Sequence, residues 1–493
     1  MSHFRSIATS LLALTALACA TQAPAPPAPQ PPAEYRQSME IADQRIAAEV
    51  RSHSELVKNL AYLTTEIGPR LTGSIQMQKA SDWTLQRFKS YGLDAHLETT
   101  TIAHAWTRGH DTAEITSPIE RTIPIRSLGW SRATPGTVTG TLLVVRLKDE
   151  GDVAHYRGKL KGAIVLAGEP NILPADTEVP DNAYDAVIPP SHRVPTAAPT
   201  SRRLLGQLMQ QEAPAVVLLD SGKTDDLFNM GGGFGNYGPS AIPLAFLTHE
   251  DYSLLYRLSA SSPVTLSVNL NGSFSAGPVP ASITVAEIKG SEFPGQRVLI
   301  GGHLDSWDLG QGALDNGTGA MAVLEAARAL RTLGWKPKRT LTFVLFTGEE
   351  QGGVGARLFA TNHATELPDM DAALILDTGT GKVTSIALED LYETAPLMQA
   401  IYQPLLEVFD LKPLSTRNYG ASDHETFLDA GVPAYFCEQQ PAHYREAHHS
   451  QADTFDKVIP DAINGDAALL AAWMWNVSEM PASLPHHPGR NSR

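Results

Sequence analysis

Three short stretches carry the chemistry: Gly301-Gly-His-Leu-Asp-Ser-Trp-Asp308, Gly312-Ala-Leu-Asp-Asn-Gly-Thr-Gly319 and Gly348-Glu-Glu-Gln-Gly352. Together they offer most of a two-metal hydrolase centre. A pair of zinc ions needs imidazole nitrogen, carboxylate oxygen, one carboxylate able to bridge, and a base for the water between the ions. His303, Asp315, Glu350, Asp377 and His449 can supply the ligands, and Glu349 the base. Three carboxylates against two divalent cations leave about one positive charge, which a hydroxide would cancel.

Taken singly, each residue has a bland reading too. His303 and Asp305 stand two apart at a strand end, so their side chains can share one side; Asp305 is then expected to accept the imidazole N–H and fix its tautomer. Asp315 precedes a helix start, where cap and dipole favour a carboxylate with or without metal. The need for one carboxylate to span two ions roughly 3.5 Å apart favours the metal. Glu349 and Glu350 are adjacent like charges after the apolar run Leu341 to Phe346, a costly pair unless cations compensate it. Neighbouring side chains diverge, so one can bind metal while the other reaches the water; the expectation is Glu350 on metal and Glu349 as general base and then acid. Asp377 in Leu376-Asp-Thr-Gly379 is weak alone. So is His449 in His449-Ser-Gln-Ala-Asp-Thr454, since His443 and His448 beside it equally suit a solvated loop.

The elements that must position these groups follow from periodicity. After Pro278 strand and helix alternate: Arg297-Val-Leu-Ile300, Thr340 to Phe346 and Ala373-Leu-Ile-Leu376 read as strands. Asn316 can cap a helix whose apolar face includes Met321, Leu324, Ala327 and Leu330, ended by Gly334 and Pro337. Most of the candidate ligands then fall just past a strand's carboxyl end, where open α/β sheets build their sites. From Tyr35 to about Leu97 the pattern is helical. From about residue 122 it becomes β-rich, with runs at Gly140–Arg146, Gly162–Leu166, Ala215–Leu219 and Val264–Val268. The expectation is an α/β fold: a mixed-sheet peptidase domain flanked by helices, with an inserted β-rich module. Its parts are an export signal at 1–19, a Pro-rich tether at 20–34, the N-terminal part of the catalytic domain at 35–121, the insertion at 122–277, the dizinc domain at 278–482 and a disordered tail at 483–493.

At 493 residues the chain exceeds one ordinary core, and 42% hydrophobic with 18% charged residues describes an ordered protein. A formal charge of −15 argues against nucleic acid or an anionic membrane as partner. Met1 to Arg5 is weakly basic and Ile7 to Ala18 is apolar but too short to span a bilayer. That pattern is an export signal, which places the protein in the periplasm or outside the cell. Ala16-Leu-Ala-Cys19 suits lipoprotein processing, with Cys19 as a lipid anchor to the outer membrane, whereas Ala18-Cys-Ala20 suits ordinary cleavage. The only other cysteine, Cys437, lies in a buried-strand pattern and reads as a small core residue.

No His-Glu-x-x-His and no Gly-x-Ser-x-Gly occurs, and Gly379-Thr-Gly-Lys382 lacks the glycine and hydroxyl of a phosphate loop. In order, His303-Leu-Asp-Ser-Trp-Asp308, Asp315, Glu349-Glu350, Asp377 and His449-Ser450 resemble the co-catalytic zinc exopeptidases that include aminopeptidase Y and glutamate carboxypeptidase. The carboxypeptidase Q branch is the most similar, through Gly302 to Gly312, Pro337-Lys-Arg-Thr340, Glu349 to Ala356 and His448-His-Ser450.

The resemblance implies one zinc on His303 and Asp377, another on Glu350 and His449, Asp315 bridging and Glu349 as base. It further implies a protease-associated domain for the insertion, with the Gly231 to Gly238 loop over the site, short peptides as substrates, and often a homodimer. Asn316 stands where that branch usually has Asp, and Ser422-Asp-His424 is more like the aminopeptidases. Substrate direction therefore stays open between carboxypeptidase, aminopeptidase and dipeptidase. A carboxy-terminal pocket wants a cation such as Arg417 or Arg445, an amino-terminal one an unpaired acid such as Glu438. An inactive peptide-binding module is the rival from another class.

Overall fold

The structure, a computed structural model, describes residues 33–173, 180, 182–187, 198–233, 237–420 and 422–490. The signal, Cys19 and most of the tether lie outside the described residues.

A seven-stranded mixed sheet forms the frame. From one edge its strands are Asp94–Ile102, Val279–Ile288, Arg339–Phe346, Phe293–His303, Met370–Ile375, Ala434–Gln439 and Val383–Ala387. The four strands from Arg339–Phe346 to Ala434–Gln439 run parallel, and the edges are antiparallel. Every residue of Arg339–Phe346 and of Met370–Ile375 is buried, which is why both read as continuous rather than alternating apolar runs. The helix Thr318–Leu333 packs on this sheet and against Pro460–Glu479. It buries Met321, Leu324, Ala327 and Leu330, and stops at Gly334, whose φ of +69° is the left-handed conformation that glycine adopts without strain.

Helical order at the N-terminus ends earlier than the periodicity suggests. Helices Ala33–His53 and Ile75–Ser90 are followed by the strand Asp94–Ile102, which contains Leu97. Asp94 to Ile102 pairs antiparallel with Val279–Ile288 and buries only Ala95 and Ile102, near its two ends. The threonine run between them has no apolar period to mark a strand.

The second sheet has eight strands in the order Arg121–Ile123, Thr112–Ser117, Thr265–Asn269, Val138–Val144, Ile164–Leu166, Val216–Asp220, Leu244–Leu247 and Ile125–Ser127. It has its own apolar core, including Ile115, Leu142, Ile164, Leu218 and Leu266. Thr112–Ser117 belongs to it although it precedes residue 122, because it pairs with Thr265–Asn269. A two-stranded ribbon, Trp106–Thr107 with Ser273–Phe274, closes the neck of the insertion.

Helix Ala33–His53 lies along Pro460–Glu479 and buries Asp43 completely. One carboxylate oxygen accepts from Asn476 Nδ2 at 3.2 Å; the other finds no donor among the described residues. Burial raises this carboxyl to about 8. Because the folded-state value is raised, its contribution to stability is full below the ordinary carboxyl range and is lost as pH climbs through about 8. Asp43→Asn should therefore stabilise less near pH 5 than near pH 9, read as the thermal midpoint. Near pH 9 it should stabilise by on the order of 1–3 kcal/mol; an equal shift at both pH values would contradict a raised carboxyl.

Candidate metal centre

His303 is the last residue of its strand, and Asp377 and Glu349-Glu350 follow the parallel strands on either side. His449 comes from the loop after Ala434–Gln439 and the short helix Tyr444–Ala447. Strand carboxyl ends thus converge on one point, and Asp315 reaches it from the turn before helix Thr318–Leu333.

Asp315 stands between two sets. Its Oδ1 lies 3.3 Å from His303 Nε2, which is itself 2.9 Å from Asp377 Oδ1. Its Oδ2 lies 3.7 Å from His449 Nε2, which is 2.8 Å from Glu350 Oε2. Asp315 Oδ2 and Glu350 Oε1 are buried with no hydrogen-bond donor among the described residues. Acceptor oxygens crowded around two imidazoles and left without donors fit a site built for cations. Imidazole with carboxylate is a donor set suited to zinc. His448 stacks on His449 with ring centroids 3.7 Å apart and also comes within 4.8 Å of Asp315 and His449, but Glu350 makes the closer approach to His449.

Burial opposes a charge on His303, but Asp377, Asp305 and Asp315 outweigh it and push the imidazole well above its usual range. Glu349 and Glu350 are held far above the carboxylate range by burial, with neighbouring carboxylates adding to it. Glu349 and Asp315 share a cavity of about 550 Å³ with Asp377 and His449, so the expected base faces the expected ligands.

Asp305 differs from its expected role. His303 Nδ1 meets the main-chain carbonyl of Asp305 at 3.0 Å, while the nearer carboxylate oxygen is 3.6 Å away, beyond hydrogen-bond reach though near enough to act by charge. That carboxylate instead accepts from the amides of Glu349 at 3.3 Å and Glu350 at 3.4 Å and from Thr72 Oγ1 at 3.2 Å. It organises the loop that carries Glu349 and Glu350. Asn316 ties two segments together: its Oδ1 accepts from Gly319 N at 2.9 Å at the start of the helix, and its Nδ2 donates to Leu376 O at 2.8 Å beside Asp377. A Cβ on Gly319 would stand 2.3 Å from both Asn316 Oδ1 and Leu376 O, so only glycine permits this closure.

A scan against family models matches residues 284–474 to peptidase family M28. Human carboxypeptidase Q is 32% identical over 445 residues, 89% of each chain, and the mouse protein is 31% identical over 87% of this chain. The chain belongs to peptidase family M28. It is accordingly a metallo-exopeptidase. Among solved structures, a peptidase M28 precursor from Shewanella amazonensis superposes with a TM-score of 0.77 at 28% identity, covering 92% of this chain and all of that one. An aminopeptidase from Aneurinibacillus shares the fold, with a TM-score of 0.62 at 20% identity over 90% of this chain and 98% of its own.

Several supports of the M28 site escape the sequence. Asp453 accepts from the amides of Leu314 at 2.6 Å and Asp315 at 3.2 Å, fixing the turn under the central carboxylate; burial, then the charge of Asp315, raises it to about 7. Ser422 donates to Asp377 Oδ2 at 2.5 Å, and Trp307 Nε1 to Glu350 Oε2 at 2.6 Å. Arg70, fully buried, donates to the carbonyls of Leu304, Gln311 and Gly312 at 2.6, 2.9 and 2.7 Å. Trp307, Ser422 and Asp453 each lie in a recognisable stretch, but they and Arg70 reach partners more than 40 residues away, where spacing carries no signal.

The insertion touches the centre directly. Met230 N donates to the His449 carbonyl at 2.7 Å, bracing a residue whose φ of +55° is uncommon outside glycine. Of the expected covering loop, 234–236 lie outside the described residues; a Cβ on Gly233 would meet Gln351 Cγ at 3.0 Å, so Gly233 packs beside the residue that follows Glu350.

Proposed function

We propose that this is an exported dizinc exopeptidase that hydrolyses dipeptides or short peptides in the manner of carboxypeptidase Q, the insertion being a protease-associated domain. The observation that carries the metal reading is Asp315, which turns one oxygen to each histidine. His303 and Asp377 would hold one ion, Glu350 and His449 the other, with Asp315 shared. When bound, the two zinc ions supply Lewis acidity to the attacking water and to the scissile carbonyl.

Glu349 then takes the water's proton and passes it to the leaving amine; a carboxyl raised by burial is suited to both halves of that transfer. Asp305 holds Glu349 through its amide, and Trp307 steadies Glu350. Similarity to carboxypeptidase Q across 89% of the chain favours cleavage from the carboxyl end. Glu438, the acid that an amino-terminal pocket would want, instead accepts from Tyr419 Oη at 2.6 Å and does not line the cavity that holds Glu349 and Asp315.

Export rests on residues 1–19, with Cys19 as lipid anchor or cleavage-site neighbour. Among the described residues no helix is long and apolar enough to cross a membrane. The test is one dipeptide offered free, amino-blocked and carboxy-amidated to the metal-loaded protein, with products followed by mass spectrometry with and without chelator. Cleavage that survives the amino block but not the amide is expected. The reverse would mean an aminopeptidase, cleavage of the free form alone a dipeptidase, and none a binding module.

A further inference from the structure

The inserted domain sends one cation toward the centre. Strand Val216–Asp220 ends in the turn Ser221-Gly-Lys-Thr224, and Lys223 Nζ crosses to the peptidase domain to donate to the Arg445 carbonyl at 2.9 Å. An ammonium has three donors, and this carbonyl uses one. Among the described residues no carboxylate comes within the 4.0 Å of an ion pair with it. Glu446, the nearest in sequence to its partner, is engaged by His443 Nδ1 at 2.8 Å.

Lys223 lines a cavity of about 1480 Å³ between the two domains, whose peptidase wall includes Arg445, His448 and His449. The smaller cavity holding Glu349 and Asp315 has the same two histidines in its wall. Both spaces therefore reach one ligand loop, the arrangement a peptide needs if its scissile bond lies at the metals and its end lies beyond them. Only one residue separates a terminal carboxylate from the last peptide bond, about 3.8 Å of chain from one Cα to the next. Lys223 is near enough that its charge and those of Asp315 and His449 act on one another.

We propose that Lys223 receives the C-terminal carboxylate of the peptide substrate and so determines specificity for the carboxyl end. The inference rests on the carboxypeptidase reading above and names the residue that would enforce it. Burial pulls this ammonium down to about 8 even against the charges of Asp315 and Glu446, so an anionic partner answers a real deficit. Two rival cations are already committed. Arg417 pairs with Asp185 at 2.7 Å, and Arg357 turns back onto the Gly352 carbonyl. A lysine also suits the task, because a flexible point charge can follow carboxylates on different C-terminal residues.

The experiment measures kcat and KM for an amino-blocked dipeptide and its C-terminal amide, using the metal-loaded full-length protein, Lys223→Met and Lys223→Arg. The wild type should prefer the free acid. In Lys223→Met that preference should fall roughly 10- to 100-fold, through KM, as expected for losing a charge-assisted hydrogen bond, while the rate on the amide stays within about two-fold. Lys223→Arg should keep most of the preference.

Metal content and thermal midpoint identify a misfolded variant, in which case Lys223→Gln, which can still donate to Arg445, takes the place of the methionine. A folded, metal-replete variant with the wild-type acid-to-amide ratio would overturn the assignment of Lys223 and leave the carboxypeptidase reading standing. A wild type indifferent to amidation would overturn both.

Discussion

Glu349→Gln is expected to keep its metal and lose roughly 10²- to 10⁴-fold in kcat. The substitution is close to isosteric, and the backbone that presents the side chain is fixed independently of it. The Glu349 amide is held by Asp305 at 3.3 Å, and its carbonyl accepts from Gly352 at 2.7 Å and Gly353 at 3.0 Å. What disappears is the only function that an amide cannot perform, taking a proton from water and returning it to the leaving amine. Neutralising the residue also removes one of several crowded carboxylates, so the metal-free variant should be no less stable than the metal-free wild type. Metal analysis alongside single-turnover kinetics checks both halves. Full activity in a metal-replete variant would remove Glu349 from the reaction.

The second large effect is at Asp315. Asp315→Ala deletes the one carboxylate shared by both sets, leaving Asp377 and Asp305 beside His303 and Glu350 beside His449. Loss of at least one metal equivalent is expected, and activity with it. Stability should follow occupancy: a ligand at about a thousand times its Kd stabilises by about 4.1 kcal/mol, so chelation should lower the wild-type midpoint sharply and the variant's hardly at all. Without metal the order should narrow or invert, since Asp315 is one cause of the raised carboxyl of Asp453 and of Glu350. Elemental analysis with thermal melts, each with and without chelator, reads these outcomes. A variant that retained two equivalents would rule out a shared ligand.

What made the centre readable in the chain was its placement. Glu350 and Asp377 follow fully buried apolar strands, His303 ends a strand whose last six residues are buried, and strand ends in a parallel sheet must meet at one side. His449 was weaker, because no strand leads into it directly, and the histidines around it gave no means of choosing. The structure separates them: His449 faces Asp315 and Glu350, His448 stacks behind it, and exposed His443 pairs with Glu446.

The sequence by itself determined the class of chemistry, since a given set of imidazoles, carboxylates and strand ends admits few reactions, and it determined two layers of fold, since buried parallel strands and amphipathic helices have distinct periods. Tertiary structure alone decided which groups hold the ligands in place. The carboxylate of Asp305 serves the Glu349 loop rather than His303, Asp453 and Ser422 carry the ligands from behind, and the insertion braces His449 and extends Lys223 toward it. These contacts join residues far apart in the chain, and a hydrogen bond between distant segments leaves no period or spacing in the sequence that makes it.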